Sequence, residues 1–259
     1  MGRRPKVFQE ERLMAIQALI DSRGRVRVEE LAETFQTSLV TIRKDLRQLE
    51  HEGRIIKAHG GAISKAAMSA HVTFEVRKTK NKTEKQQLGE KASELVAAGD
   101  VIFIDASTTT AEMCPHLRDV EQLTVVTNSI EIAYLLGTTA CCNIVVMGGT
   151  VKRETLAMFD LETAASFDRW RFDKAFFGGW GYSVKDGLTD LPGIIVHQKR
   201  QIAARSLVKI ALVDSSKVEK GSLDTVIPSK DLDYLITNAD VEPSFLNAMQ
   251  RLNTQLILA

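Results

Sequence analysis

The chain has 259 residues, a length that suits one large or two ordinary domains. Hydrophobic residues make up 44% and charged residues 26%, both in the globular range, which excludes wholesale disorder. No apolar run approaches the roughly 18 residues a membrane helix needs. The opening MGRRPKVFQEER lacks the apolar stretch of a secretory signal, so a cytoplasmic protein without a membrane partner is expected. Cys114, Cys141 and Cys142 show no CxxC spacing, which argues against a disulfide framework or a zinc site; no cofactor or metal is expected. The net charge of +1 hides an asymmetry: residues 1–91 carry 19 Lys and Arg against 12 Asp and Glu, and the remainder carries 15 against 21. A basic first third joined to an acidic remainder points to an anionic polymer as partner of the first third alone.

In chain order, Leu13, Ile16, Leu19 and Ile20 recur at helical spacing between Glu10 and Arg23, and Gly24 suits the end of that helix. Arg25–Val28 alternates like a very short strand. Glu29–Phe35 reads as a second helix, Gln36-Thr37 as a tight turn, and Ser38 as the N-cap of a third helix running from Leu39 to Glu52 and stopped by Gly53. Ile42, Leu46 and Leu49 form its apolar stripe. Arg54–Lys57 and Ala62-Ile63 flank His59-Gly60-Gly61 as a hairpin. Residues 1–65 thus form one domain and 66–82 a basic linker. Residues 83–259 form a second domain, opening on a helix from Thr83 to Ala98 with Thr83 as N-cap.

From residue 99 the pattern becomes strand, helix, strand. Val101–Ala106, Leu123–Asn128, Asn143–Met147, Lys174–Gly178, Lys209–Asp214, Tyr234–Thr237 and Gln255–Leu258 are short, Val- and Ile-rich strands, as expected when both faces are buried. Thr109–Leu117, Ile130–Leu136, Leu161–Trp170, Ile195–Ser206 and Pro243–Leu252 read as the intervening helices. This alternation predicts an α/β fold with an open, mostly parallel sheet.

The order helix, turn, helix, hairpin in the first domain is that of a winged helix-turn-helix. With Ile42, Leu46 and Leu49 turned inward, Thr41, Arg43, Lys44, Arg47 and Gln48 face solvent. Arginine can fork onto the guanine O6 and N7, while Thr and Lys suit phosphates and base edges. Ser38, at the helix N-terminus, and Lys57 and His59, on the hairpin, complete the candidate interface with double-stranded DNA. Asp45 reads as structural, bracing Arg43, Arg47 or a helix end.

In open α/β sheets, ligands sit at the carboxyl ends of the strands. Here those ends read Asp105-Ala-Ser-Thr-Thr-Thr110, Thr127-Asn-Ser129, Gly148-Gly-Thr150, Gly178-Gly-Trp-Gly181 and Asp214-Ser-Ser-Lys217. Hydroxyls, glycines and helix N-termini repeat at one edge, the equipment of a phosphate cradle. Ser107, Thr108 and Thr109 are expected to donate to a phosphate over the helix that begins near Thr109, with Lys217 neutralising charge. Asp105, Asn128 and Asp214 suit sugar hydroxyls. Thr127, Ser129, Gly148 and Gly149 complete the candidate site, and Asp190 and Asp240 read as loop residues.

Thr41-Ile-Arg-Lys-Asp-Leu46 on a recognition helix, with Arg12–Ile16, Glu30–Ala32, Phe35–Ser38 and His59–Gly61, closely resembles the DeoR family of bacterial transcription regulators. The runs Ile104–Thr109, Val126–Ser129, Met147–Val151, Asp173–Gly178, Asp186–Leu188 and Val213–Lys217 resemble that family's sensor domain. The resemblance implies a C-terminal sheet similar in fold to ribose-5-phosphate isomerase and a repressor of a carbohydrate-catabolism operon, released from its operator by a phosphorylated sugar. It also implies Thr41, Arg43 and Lys44 as DNA contacts. Because helix-turn-helix proteins read paired half-sites, a homodimer or homotetramer is expected.

Three positions depart from the family pattern: Ser107 stands where a glycine is common, Asp160-Leu161 where a Gly-Pro pair is common, and Leu191–Val196 lacks a glutamate. These point to a divergent pocket, or to a ligand with fewer hydroxyls on that side. A second reading is a sugar-phosphate isomerase-like enzyme carrying a DNA-binding domain, with Asp105 and Lys217 as carboxylate and cation; the missing glutamate and the lack of a histidine base weigh against it.

Overall fold

The computed structural model describes residues 9–23, 25–58, 60–64, 74–153, 155–159, 170–222 and 224–259. Gly24, His59, Asp160 and the expected helix from Leu161, up to residue 169, lie outside them. The chain divides into two compact units, 1–72 and 73–259.

The first unit contains α1 (Gln9–Arg23), β1 (Arg25–Arg27), α2 (Val28–Thr34), α3 (Leu39–His51), β2 (Ile55–Ala58) and β3 (Gly61–Ser64). Ile16, Ile20, Leu31, Ile42, Leu46 and Leu49 are fully or almost fully buried in one cluster, so the helical stripes read from the sequence do meet in a core. The turn between α2 and α3 uses Gln36 at φ 47°, and Gly53 takes φ 67° just after α3, a left-handed conformation that favours glycine. The hairpin β2–β3 gains a third strand: β1 pairs antiparallel with β3, with Arg25 opposite Ile63. The architecture is a winged helix-turn-helix.

The second unit is built on seven parallel strands: β4 (Val101–Ile104), β5 (Thr124–Thr127), β6 (Asn143–Val146), β9 (Phe172–Gly178), β12 (Ser206–Leu212), β14 (Tyr234–Thr237) and β15 (Gln255–Leu258), in the order β15-β14-β12-β9-β4-β5-β6. All seven strands expected from the sequence are in this one sheet. Ile102 and Ile104 join one buried cluster and Phe103 the other, so alternate side chains feed cores on opposite faces. This burial on both faces explains the continuous Val and Ile runs.

Elsewhere the structure corrects the reading. Phe74–Thr79 is a short helix, α4, inside the stretch read as linker. The next helix, α5, runs Lys82–Ser93, and its cap is Asn81 rather than Thr83. Asn81 takes φ 51°, which asparagine tolerates, and its side chain is drawn to the second domain's loops. Thr110–His116 is a 3-10 helix in place of the expected α-helix: the Thr110 hydroxyl donates to the carbonyls of Asp105 and Ser107, which tightens the turn, and Pro115 removes a donor. α6 (Ile130–Thr139), α7 (Ile194–Ala203) and α8 (Pro243–Met249) follow. Five short strands escaped the sequence reading: the hairpin β7 (Thr150–Lys152) and β8 (Ala157–Phe159), and an antiparallel sheet of β10 (Gly181–Ser183), β11 (Gly187–Asp190) and β13 (Asp224–Ile227). No helix among the described residues is long and apolar enough to cross a membrane.

Candidate functional sites

In α3, Ser38 caps the helix by accepting from the Thr41 backbone N–H at 3.1 Å, and the two hydroxyls share a further hydrogen bond of 2.9 Å. Arg43, Lys44 and Arg47 are exposed on the face opposite the buried stripe, and Thr41 is half-buried. Arg43 and Lys44 take part in no ion pair among the described residues. Arg47 folds back, its Nε donating to the Arg43 carbonyl at 3.2 Å. Gln48 is engaged by Gln9 and Glu52. Lys57 lies on β2, opposite Ala62 in the ladder.

Asp45 is buried and its partner is neither Arg43 nor Arg47. Arg12 of α1 grips it with two bonds, Nε to Oδ2 at 2.6 Å and Nη2 to Oδ1 at 3.2 Å. The pair ties α1 to the recognition helix, and Asp45 raises the pKa of the Arg12 guanidinium.

In the second unit, the strand-end groups separate into two kinds. Thr127, Asn128 and Ser129 are buried, and their side chains are committed to the frame. Thr127 Oγ1 donates to the Ile104 carbonyl and accepts from the Ser129 N–H. Asn128 accepts from the Ala106 N–H at 2.9 Å and donates to Gln198 Oε1 at 2.9 Å. Ser129 Oγ caps α6 by accepting from the Ile132 N–H. Gly148 and Gly149 are exposed beyond the end of β6.

Asp105, Thr108 and Lys217 belong to the other kind, and four residues the sequence reading missed join them: Arg77, Lys85, Asp190 and Lys199. Lys199 is buried, with Nζ at 2.7 Å from Asp105 Oδ2, 2.8 Å from Asp190 Oδ2 and 2.7 Å from the Gly178 carbonyl. Burial disfavours the Lys199 ammonium, but the two carboxylates outweigh it and raise the pKa above the ordinary lysine value. Asp190, read as a loop residue, is half of that clamp. Asp105 Oδ2 also accepts from the Gly178 N–H, whereas its Oδ1 is buried with no hydrogen-bond partner among the described residues.

Lys85 projects from α5 and is also buried; its Nζ donates to Thr108 Oγ1 at 3.1 Å and to the Arg77 carbonyl. Burial pushes its pKa down to about 8, and the positive charge of Lys217 adds to the effect. Burial lowers the pKa of the Arg77 guanidinium too, against the pull of Asp190 and Asp105. Lys217 lies on the 3-10 turn Ser215–Lys217, with Nζ 3.3 Å from the Gly179 carbonyl and 3.5 Å from Asp214 Oδ2. Asp214 Oδ1 accepts from Asn81 at 3.0 Å, while its buried Oδ2 has no hydrogen-bond partner among the described residues. Among the described residues no cluster of His, Cys, Asp and Glu is arranged to hold a metal.

Two family models match the chain: the DeoR-like helix-turn-helix domain over residues 12–67 and the DeoR C terminal sensor domain over residues 80–239. The chain belongs to the DeoR family. Among its DeoR-family relatives, the HTH-type transcriptional repressor GlcR of Bacillus subtilis is 30% identical over 97% of both chains. The lactose phosphotransferase system repressor of Staphylococcus epidermidis is 32% identical over 90% of this chain and 93% of its own length. Both relatives are named as repressors. A ribose 5-phosphate isomerase from Methanocaldococcus jannaschii is structurally similar with a TM-score of 0.40 and 19% identity, covering 54% of this chain and 55% of its own.

Of the three departures from the DeoR-family pattern, Asp160 is outside the described residues. At the second, Ser107 Oγ accepts from the Thr109 N–H at 3.1 Å. Its side chain occupies the space beside Gly178, where a Cβ would come within 2.1 Å of Ser107 Oγ. At the third, Ile194 and Ile195 open α7 and pack on Ala106, Ala157 and Phe159.

Proposed function

We propose that this DeoR-family protein represses a carbohydrate-utilisation operon and releases its operator when a phosphorylated sugar binds the second domain. Arg43, Lys44 and Thr41 of α3 contact double-stranded DNA in the major groove, Arg47 and Ser38 adjoin them, and Lys57 and His59 are assigned to an adjacent groove or backbone. A homodimer or homotetramer formed through residues 83–259 aligns two such modules on paired half-sites.

The observation that carries the effector site is the convergence of Lys85, Lys217 and Arg77 with two buried carboxylate oxygens, Asp105 Oδ1 and Asp214 Oδ2, that have no hydrogen-bond partner among the described residues. Three cations suit a phosphate, and two unfilled acceptors suit sugar hydroxyls. Thr108 and Lys85 already share a hydrogen bond that a phosphate oxygen can join or replace. Ser107 and Thr109 line the same turn. Because the segment beginning at Thr110 is a short 3-10 helix, the cationic side chains supply the attraction that a helix dipole was expected to give. Thr127, Asn128 and Ser129 hold the turn from behind rather than touching the ligand, and Gly148 and Gly149 border the site. The reading includes no catalysis. The names of relatives, a lactose phosphotransferase system repressor among them, support a sugar-linked operon.

The test is a thermal-shift screen of the full chain against phosphorylated sugars and their unphosphorylated parents, followed by operator titration with the best binder. A selective phosphosugar that raises the melting temperature by mass action and also releases DNA supports the reading. Equal shifts with phosphorylated and unphosphorylated sugars refute the phosphate site.

A further inference from the structure

The parallel sheet ends on β6, and there its surface changes character. Asn143 and Met147 donate their backbone N–H groups to the Leu123 and Thr127 carbonyls at 2.9 and 2.8 Å, so by strand alternation Ile144 and Val146 turn theirs to the other side. Among the described residues no strand pairs with that side. α6 packs beside this edge: a Cβ at Gly137 would lie 3.9 Å from Ile144 Cδ1. Ile132 and Leu136 bury the inner face of α6, while Ile130 and Tyr134 stand on the outer one, 40% and 69% exposed. On β6 itself Val146 is 44% exposed.

This edge lacks the charges and prolines that keep exposed sheet edges apart. From Ser129 to Val151 the sequence holds no proline and one charged residue, Glu131, in a chain that is 26% charged. Glu131 is itself paired with Lys78 at 2.6 Å. The opposite edge differs, since Asp240, Glu242 and Arg251 are exposed in the segment that leads to β15. The uncharged surface has no cation for nucleic acid and no counter-charge for an acidic or basic peptide. It suits a two-fold contact between identical chains, in which a residue near the axis approaches its own copy and any charge there would meet its like.

We infer that two copies of this chain join through β6 and the outer face of α6. β6 pairs antiparallel with the β6 of the second copy, the direction that a two-fold axis normal to the sheet imposes, and the sheet continues across the interface. Ile130 and Tyr134 cover the join from the helix side, which removes apolar surface from water. This inference rests on the proposal that the second domain aligns two DNA-binding modules, and it names the surface that does so.

Sedimentation of the full chain over a dilution series is the test. Wild type should associate, and Tyr134→Glu, Tyr134→Lys and Val146→Lys should each raise the dissociation constant by about tenfold or more. Tyr134 is mostly exposed, so its variants should melt close to the wild-type temperature. An equimolar mixture of the Tyr134→Glu and Tyr134→Lys proteins should regain association, because Tyr134 lies near the middle of α6 and opposite charges then face each other across the axis. Variants that associate as wild type does overturn the inference and leave pairing through another face intact. A lower melting temperature with unchanged association shows that this edge is covered by residues of its own chain, and overturns it too. Single variants that dissociate without rescue in the mixture overturn the two-fold contact. A wild-type chain that is monomeric in solution overturns the inference, and if one copy alone also occupies the operator, the pairing proposal falls with it.

Discussion

Replacing Lys199 by methionine tests how the proposed effector site is held together. The ammonium touches two carboxylates and a carbonyl, and both Lys199 and Asp105 are almost completely buried. Methionine keeps the volume but removes the ammonium bonded to the buried Asp105 carboxylate. Removing one partner of a buried pair costs about 3–5 kcal/mol. For a unit of this size that corresponds to a fall in melting temperature of about 6–20 °C. The loss should also depend on pH, with a definite sign. Burial raises the Asp105 carboxyl, and Lys199 opposes it; without Lys199 the folded-state pKa rises further above the unfolded value of about 3.9. Folded protein then binds more protons than unfolded protein in that window, so stability falls as pH increases, by up to about 1.4 kcal/mol per pH unit. Urea denaturation of the full chain at pH 5.5 and pH 8 reads both quantities. A loss below about 1 kcal/mol at pH 8 would show that the clamp is energetically neutral. An equal loss at the two pH values would show that Asp105 is not the residue left uncompensated.

Asp45→Ala should destabilise the winged helix-turn-helix by about 1.5–3 kcal/mol, because it removes the two charge-assisted hydrogen bonds that tie Arg12 to the recognition helix; denaturation of the variant measures this. Arg43→Ala should cost about 1–3 kcal/mol at a specific operator by gel shift or anisotropy, whereas Lys57→Ala should weaken all sequences alike and reduce the salt dependence. Thr108→Asp puts a negative charge beside Lys85 where the phosphate belongs; effector-induced release should vanish while ligand-free operator binding persists, and normal release would refute the site. Effector affinity should be steady below pH 8 and decline above it, by up to about tenfold per pH unit, as the Lys85 ammonium, whose pKa is about 8, loses its proton; titration calorimetry between pH 7 and 9.5 checks this. In the ligand-free protein the sign is opposite: a lysine with a lowered folded-state pKa makes the fold more stable as pH rises from 8 towards 10.5.

The parts of the molecule that were legible in the sequence are those in which local pattern and tertiary burial agree. The inner parallel strands announce themselves because both faces are covered, so each carries a short apolar run, and the edge strands β6 and β15 keep such a run although they are partly exposed. The recognition helix is legible because Ile42, Leu46 and Leu49 repeat with the helical period and Ser38 is a capping residue. Residues at strand ends are also findable, since the open-sheet rule directs attention to Asp105, Thr108 and Lys217. Lys199 and Lys85 escape that rule because they approach from helices. On α7 and α5 a lysine amid other polar residues looks like a solvated one, and nothing local signals that a sheet edge with two acidic groups will fold over its ammonium. Arg77 hides better still, in a basic run that resembles a linker until Phe74 is seen to be buried. The short antiparallel strands β7, β8, β10, β11 and β13 have three or four residues each, too few for a period to register. Asn128 misleads in the other direction. Its place at a strand end suggests a ligand group, yet both ends of its amide are consumed by Ala106 and Gln198. Position at the sheet edge is therefore only half of the criterion for a binding residue. The other half is an unfilled hydrogen-bonding group, which Asp105 and Asp214 retain and Asn128 does not.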